Sequence, residues 1–343
     1  MSTEMAPGSL TLSYVKTIGI CNNGLNGRGF TNPVDTAVSD DGRIFVLNRC
    51  DQARAEAIRV GICTIDEDYL GEFGDGVGDG DTQFKLVAGM AFDSEDRLHI
   101  VDEGANRITV FNSQGVFLSK WGSPGTGDGE FNGPSGIAFD SCGDCYISDQ
   151  HNNRIQKFTW NGEFLTKWGE VGDDSGQLNM PWGIGVDQDD KVYVADWRND
   201  RIQKFSSTGE HIATFGETGQ SDGQFSRPSA VTVDALGNIY VADWGNERVQ
   251  VLDPQGNFLL KIRGEATISE WAADFFVANP DEVEVRKIAN LTPVLPPRFD
   301  TPYQISSQTE PYFWGPVSVK LDVGGRLYVT ETNRHRFQVY QIN

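Results

Sequence analysis

The sequence lacks the features of several common protein classes. Its 343 residues contain no run of 18 apolar residues, so we predict no transmembrane helix. The first ten residues, MSTEMAPGSL, lack the basic and apolar segments of a signal peptide. The five cysteines are an odd number, which fits a reducing compartment better than a disulfide framework. We therefore expect a cytoplasmic protein.

Positive charge is also scarce. The chain has 28 basic residues against 49 acidic ones and a formal net charge of −21. An acidic surface repels the phosphates of nucleic acids and the head groups of anionic lipids. We therefore expect no nucleic acid and no membrane among its partners.

Helical periodicity is missing from most of the chain, and a repeat is present instead. Related five-residue runs recur at intervals of 47 residues, and weaker copies stand near each end of the chain. The runs end at Asp93, Asp140, Asp187 and Asp234, and the weaker copies at Ser39 and Asp322. Repetition with such a period is typical of stacked supersecondary units.

Each repeat contains four short apolar runs bounded by Gly, Pro, Asn or Asp, which predicts four antiparallel strands. The last repeat stops at Asn343 without its outermost strand, and the run from Tyr14 to Gly19 resembles that missing strand. We therefore predict an all-β chain, a six-bladed β-propeller of four-stranded blades. Residues 1–343 then form one domain whose last blade is closed by the N-terminal strand.

Three stretches carry a strand that ends in Asp, then Asn, then Arg-Ile/Val-Gln. They are Asp149 to Gln156, Asp196 to Gln203 and Asp243 to Gln250. This pattern resembles the NHL-repeat family, whose members are β-propellers. The resemblance extends over nearly the whole chain.

Each blade also repeats an Asp followed five residues later by an Arg. The pairs begin at Asp102, Asp149, Asp196 and Asp243. A carboxylate and a guanidinium at this spacing in every blade indicate a structural ion pair rather than a metal cage. We expect these residues to belong to the scaffold.

The loops on one face of the ring differ from blade to blade. Several aromatic side chains and a few charges of both signs are typical of a small-molecule pocket, and a solvated rim of varied residues is the alternative. The candidate ligand-binding residues are Asp35, Asn48, Gln150, Trp182, Trp197, Arg198, Trp244, Trp314, Lys320 and Thr332.

An insertion at 265–312 separates blades five and six. Its first part predicts two helices, which Ser269 or Asn279 would cap, and its Pro-rich second part predicts an extended segment. Long ordered insertions in compact domains are often functional. We predict a lid over the channel, and a cover for the flank of one blade or a dimer contact are the alternatives.

Distant resemblances to propeller enzymes suggest chemistries. The peptidyl-hydroxyglycine lyases hold zinc with His residues that this chain lacks at the corresponding positions, but Arg49 matches their substrate-facing Arg. Gluconolactonase-like enzymes bind one divalent cation, and Asn48, Glu103, Asp35 and Glu331 resemble that set. The resemblance thus implies a candidate Ca²⁺ or Zn²⁺ ion, although the residues leave the cofactor open.

Strictosidine-synthase-like propellers resemble this chain too, and they imply a Glu with a raised pKa in an aromatic pocket. Glu103 is the candidate. Our first hypothesis is a small-molecule site in the central funnel under the insertion, where the protein would act as a lyase or a hydrolase. The candidate catalytic residues are Arg49, Glu103 and His151. The alternative is a non-catalytic scaffold that binds a protein partner through the rim and the insertion.

Overall fold

The computed structural model describes residues 10–19, 27–49 and 57–343. These residues form six four-stranded antiparallel sheets arranged as blades, with the first strand of each blade in contact with the first strand of the next. The fold is therefore the six-bladed β-propeller that the repeats predict.

The strands of blades one to three are β2 (Pro33–Val38), β3 (Ile44–Asn48), β4 (Arg59–Cys63), β5 (Tyr69–Phe73), β6 (Val87–Phe92), β7 (Arg97–Asp102), β8 (Arg107–Asn112), β9 (Phe117–Trp121), β12 (Pro134–Phe139), β13 (Cys145–Asp149), β14 (Arg154–Phe158) and β15 (Phe164–Trp168). A short parallel pair before blade three comprises β10 (Ser123–Pro124) and β11 (Glu130–Phe131).

The strands of blades four to six are β16 (Pro181–Val186), β17 (Val192–Asp196), β18 (Arg201–Phe205), β19 (His211–Phe215), β20 (Pro228–Val233), β21 (Ile239–Asp243), β22 (Arg248–Leu252), β23 (Phe258–Ile262), β24 (Pro316–Leu321), β25 (Arg326–Glu331), β26 (Arg336–Ile342) and β1 (Leu12–Gly19).

The N-terminal strand closes the ring. β1 pairs antiparallel with β26 from Leu12 opposite Ile342 to Gly19 opposite Arg336. Blade six is thus built from both ends of the chain, as predicted. Its outer strand lies where β5 and its counterparts lie in the other blades, so blade six has the same four strands as the rest.

Aromatic side chains pack between consecutive blades. In the turn after β14, Gly162 has φ +92°, and a Cβ atom there would lie 2.5 Å from the Trp121 ring of the preceding blade. The turn therefore needs glycine both for its backbone conformation and for the close approach of the indole.

In blades three to five the repeated Asp–Arg pair is a structural tie, as expected, whereas Arg107 and Asp102 of blade two lie 4.0 Å apart. Asp149 Oδ1 accepts the Asn132 N–H at 2.7 Å, and Oδ2 accepts the Arg154 Nε–H at 2.7 Å together with bonds from Asn152 and Gln156. Arg154 also donates to three backbone carbonyls of the preceding connection. The pair thus holds the loop that leads into its own blade.

A second tie joins each of blades two to six to the blade that follows it in the ring. The residue before the third strand has a positive φ, and its side chain accepts a backbone N–H at the start of the following blade. The pairs are Asn106 with Gly133, Asn153 with Met180, Asp200 with Arg227, Glu247 with Gly315, and His335 with Asn32.

The insertion contains three helices among the described residues, α1 (Glu270–Ala278), α2 (Pro280–Ile288) and α3 (Pro302–Gln308). Ser269 caps α1 as predicted, whereas Asn279 makes no side-chain cap bond to α2. The Pro-rich part is not wholly extended, because α3 begins there. Thr301 forms a capping box with Gln304, and Pro302 occupies the first helical turn, where proline is tolerated.

Helix α1 packs into the seam between blades six and one. Trp271 is only 3% exposed, and its ring lies 5.6 Å from that of Phe30. Its indole N–H donates to the Glu67 carbonyl in blade one, and Ser269 donates to the Gly19 carbonyl at the end of β1. The insertion therefore covers the flank of blade six. None of the helices in the described part of the chain has the length and apolar character needed to cross a bilayer.

Candidate functional site

The candidate site lies on the face where the inner strands begin. Pro134 stands opposite Asp149, and Pro181 stands opposite Asp196, so the start of each inner strand adjoins the loop after the second strand. A cavity of about 450 Å³ opens on this face at the centre of the ring. Its lining residues are Asn32, Val34, Arg49, Trp182, Trp197, Ser229, Trp244, Val317, Thr332 and Asn333. We call this cavity the funnel.

Three tryptophans form one wall of the funnel. Trp182 follows the first residue of β16, while Trp197 and Trp244 begin the short 3-10 turns after β17 and β21. The rings of Trp182 and Trp197 lie 5.9 Å apart at an angle of 50°. All three side chains are half-buried, so the wall offers flat apolar surface to a ligand. The structure brings together these three predicted residues.

An ion pair lies at another part of the wall. Arg49 Nη2 is 2.9 Å from Glu103 Oε2, and neither side chain is fully buried. Arg49 lines the funnel, and Glu103 reaches it through this contact. The geometry combines a cation that suits carbonyl or anionic oxygens with a carboxylate able to exchange a proton. Glu103 is thus paired with Arg49 rather than enclosed by the tryptophans.

Deeper in the channel, Asp35 and Lys320 face each other. Lys320 Nζ is 3.3 Å from Asp35 Oδ2, which also accepts the Met90 N–H at 2.8 Å. Ser318 donates to the other oxygen at 2.5 Å. The space around this pair is only about 30 Å³. The pair therefore links blades one and six at a constriction below the funnel.

Two predicted residues are buried in the scaffold. Asn48 is 0% exposed, and it accepts the Thr31 N–H at 2.8 Å while donating to the carbonyl oxygens of Val46 and Arg59. It takes the place of the repeated Asp, and both its amide oxygen and its amide nitrogen are bonded within the scaffold, so neither is available to a ligand. Gln150 is 3% exposed and does not line the funnel.

The remaining predicted residues lie around the funnel. Thr332 lines it and donates to the Pro33 carbonyl at 2.8 Å. His151 is exposed, with its ring over Gly133, and it does not line the cavity. Arg198 is exposed on the rim beside Trp197. Trp314 stands outside the cavity, packed 5.7 Å from Tyr303 of α3.

Sequence reasoning missed five residues that line the cavity: Asn32, Val34, Ser229, Val317 and Asn333. A signal for three of them exists, because Val34, Ser229 and Val317 follow the Pro that opens an inner strand, as Trp182 does. Taking that repeat position as part of the pocket wall in every blade would have included them. Asn32 lies in a weaker repeat and gives no such signal.

The four residues that resemble a cation-binding set do not fit one site. Glu331 is 0% exposed and binds Arg336 and Gln338, and Asn48 is enclosed as described. Asp35 is paired with Lys320, and Glu103 with Arg49. Within the described residues, no group of three or more His, Cys, Asp or Glu side chains is arranged to hold a metal. We therefore derive no chemistry through a metal.

One carboxyl group behind the funnel wall titrates near neutral pH. Glu247, three residues after Trp244, is 2% exposed and accepts the Gly315 N–H at 2.6 Å. Burial raises its pKa to about 7, and the negative charge of Glu331 raises it too, against the lowering effect of the Gly315 hydrogen bond. The tie between blades five and six therefore changes its charge near neutral pH.

The insertion stands beside the funnel. The funnel lining contains no residue of 265–312, although α3 reaches the rim, where Arg334 donates to the Ser306 carbonyl at 2.9 Å. A second cavity of about 410 Å³ lies between α1, α2 and the outer strand of blade six. That the insertion acts as a lid stays a prediction.

Comparisons with known proteins agree with this fold. The NHL repeat model matches residues 178–205, 225–252 and 313–340, and a model described as 6-bladed beta-propeller matches residues 88–169. The chain matches none of the curated proteins at a significant level.

Several solved structures are similar in shape. One is a Bacteroides thetaiotaomicron protein of unknown function, with 16% identity and a TM-score of 0.65 over 98% of this chain and 77% of that one. Another is virginiamycin B lyase from Staphylococcus aureus, with 14% identity and a TM-score of 0.55 over 97% and 99%. A streptogramin B lyase gives 12% identity and 0.56 over 97% and 98%. At these identities the likeness shows the fold alone.

Proposed function

The chain is a six-bladed β-propeller that carries NHL repeats, and we propose that it binds a small molecule in its funnel. The observation that carries this proposal is the cavity of about 450 Å³ with three tryptophans and Arg49 in its wall. Pockets for small molecules have this size and combine apolar surface with a few polar groups. The ligand would stack on the indoles and place an oxygen atom against Arg49.

We further propose lyase or hydrolase chemistry at the Arg49–Glu103 pair. In an elimination, Glu103 would take a proton from a carbon beside a carbonyl group whose oxygen faces Arg49. The electrons of that C–H bond would form a double bond as the leaving group departs, and the proton would pass to the leaving group. Support comes from the 2.9 Å contact and from neighbours of the same fold whose names are those of lyases.

A binding test uses the neutral fluorescent probe N-phenyl-1-naphthylamine. We expect wild-type protein to bind it and Trp182→Ala to weaken binding about tenfold, because the indole supplies much of the apolar contact. Trp160→Ala is the matched control, since Trp160 is 39% exposed on an outer turn and lies outside the funnel. Equal binding by all three proteins would contradict a ligand site in the funnel.

The second candidate function is a protein-binding scaffold. The insertion exposes several large apolar side chains, which is typical of interaction surfaces. They are Val277 at 85%, Val285 at 61%, Ile288 at 87% and Val294 at 98%. Replacing Val277 and Ile288 by Ser would abolish capture of a protein partner and leave probe binding in the funnel unchanged. The two functions are thereby distinguished.

A further inference from the structure

Two arginines rest on one indole at the mouth of the funnel. The guanidinium carbon of Arg198 lies 5.7 Å from the centroid of the Trp197 ring, and that of Arg227 lies 5.1 Å from it. Trp197 itself lines the cavity. The two positive charges therefore stand next to the wall on which a ligand would stack.

The backbone presents both side chains from fixed positions. Arg198 lies within the 3-10 turn Trp197–Asn199. Arg227 directly precedes Pro228 of β20 with φ +51°, and its N–H donates to Asp200 at 2.6 Å. The two arginines come from the turn of blade four and the entry to blade five, so they meet across the seam between these blades.

Among the described residues, neither of the two guanidinium groups forms an ion pair. In the described part of the chain, no carboxylate lies within ion-pair distance of Arg198 or Arg227, and both residues are exposed. Arg201 and Arg248, in the same two blades, each bind a buried Asp at 2.7–2.8 Å. A guanidinium that stacks on an aromatic face keeps its N–H groups free to donate to an oxyanion.

The other charges in and below the funnel cancel. Arg49 is paired with Glu103, and Lys320 with Asp35. Asp200 uses its two oxygens on the Arg227 N–H and the Thr218 hydroxyl. Both of these donors are neutral, so Asp200 keeps its negative charge, and Arg198, Arg227 and Asp200 together leave one excess positive charge at the mouth of a chain whose net charge is −21. A cleft of one sign attracts ligands of the opposite sign.

We propose that the ligand of the funnel is an aromatic or otherwise flat apolar molecule with an oxyanion group, a carboxylate, sulfonate or phosphate, which Arg198 and Arg227 bind. This inference rests on the funnel site of the proposed function and adds the chemical class of its ligand. The apolar body would stack on the tryptophans while the anionic group lies at the rim between the two guanidinium groups.

The experiment compares two probes with the same aromatic body. 8-Anilinonaphthalene-1-sulfonate carries a sulfonate, and N-phenyl-1-naphthylamine does not. We expect wild-type protein to bind the sulfonate about tenfold more tightly at low ionic strength, with a preference that shrinks as salt is added. Arg198→Gln and Arg227→Gln should each reduce that preference severalfold, and the double variant should remove it. Binding of the neutral probe should not change.

Arg298→Gln is the matched control. Arg298 is also exposed and lies 5.4 Å from an aromatic ring, that of Phe299 in the insertion, so the variant removes the same charge and the same type of contact away from the funnel. An unchanged preference in this variant supports the inference. A preference that falls equally in all three single variants would overturn it, because net charge alone would then explain it.

The outcomes separate this inference from the proposed function. If wild-type protein binds both probes equally, in a way that depends on Trp182, the funnel binds apolar molecules and the oxyanion subsite is overturned. If sulfonate binding persists in the double variant, the subsite is overturned as well. If wild-type protein binds neither probe, the funnel site falls and this inference falls with it.

Discussion

Blades three to five and the seam between blades six and one use the same architecture with different side chains. In the regular blades, Asp149, Asp196 and Asp243 each bind the Arg five residues later. At the seam, Glu331 takes this part in blade six and Asn48 takes it in blade one. The ties are thus retained although the residues differ.

The comparison shows that the acidic residue of this tie can differ between blades. An amide in place of the carboxylate leaves Arg59 without the usual partner, and it pairs instead with the half-exposed Glu72 at 2.7 Å. Helix α1 adds Trp271 to the same seam. A regular blade is held by a buried ion pair, whereas blade one is held by the neutral hydrogen bonds of Asn48, by the Arg59–Glu72 pair at its outer strand and by packing from the insertion.

The largest expected effect comes from breaking the tie in a regular blade. Arg154→Ala leaves Asp149 buried without its cation, which should cost about 3–5 kcal/mol of unfolding free energy. Arg59→Ala leaves Glu72 in contact with water and should cost about 1–2 kcal/mol. Urea unfolding of both variants measures the difference. Equal losses would mean that the seam depends on its ion pair as much as the regular blades do.

The regular region could be predicted from sequence because its residues recur. Four copies of one pattern identify Asp149 and Arg154 as scaffold without any coordinates. The funnel wall was predicted in part. Trp197 and Trp244 lie in loops and Trp182 lies at the start of an inner strand, and the fold places all three positions on one face. The burial of Asn48 could not be predicted. One Asn in place of the repeated Asp is compatible with two roles: a side chain available to a ligand, or an acceptor that replaces the Asp within the scaffold.

The position of the insertion could not be predicted from the sequence, for a related reason. Its helices and the Ser269 cap have local signals, but its position depends on which seam accepts Trp271. That is a property of packing between distant segments, here the contact of Trp271 with Phe30 and Glu67. A single sequence does not show which of its distant segments pack together.

The second prediction concerns a substitution that removes the aromatic packing at the seam between blades six and one. Trp271→Ala should cost about 3 kcal/mol, because it deletes a large buried side chain and leaves a cavity between α1 and blade one. Trp160→Ala, at a ring that is 39% exposed, should cost less than about 1 kcal/mol. Thermal unfolding of the two variants gives the comparison. A Trp271 variant as stable as wild type would mean that the insertion merely rests on the ring.

The third prediction concerns pH at the tie between blades five and six. Because the pKa of Glu247 is raised from 4.5 to about 7 in the folded protein, the folded state retains a proton that the unfolded state has released between these values. Stability from this group is therefore lost as pH rises through that window. Glu247→Gln should lose about 2 kcal/mol less than wild type between pH 5 and pH 8.

The control for this effect is Glu210→Gln, at an exposed position in blade four. It should follow the wild-type pH dependence, because the substitution removes one carboxyl group far from Glu247 and leaves Glu247 in place. Urea unfolding at pH 5, 6, 7 and 8 measures all three proteins. Parallel curves for wild type and Glu247→Gln would show that Glu247 is charged throughout this range.

The smallest expected effect tests how firmly the insertion is anchored. Ser269 accepts the Ala272 N–H at 3.1 Å and donates to the Gly19 carbonyl at 2.6 Å, so it caps α1 and attaches it to the last strand of the ring. Ser269→Ala should cost about 1 kcal/mol, and Ser269→Asp should restore the cap without the donated bond. Hydrogen exchange of α1 amides separates the two contributions. If the α1 amides exchange equally fast in the Ser269→Ala and Ser269→Asp variants, the bond to Gly19 anchors the helix. If they exchange as slowly in Ser269→Asp as in wild type, the cap alone is sufficient, and it is Trp271 that holds α1 in the seam.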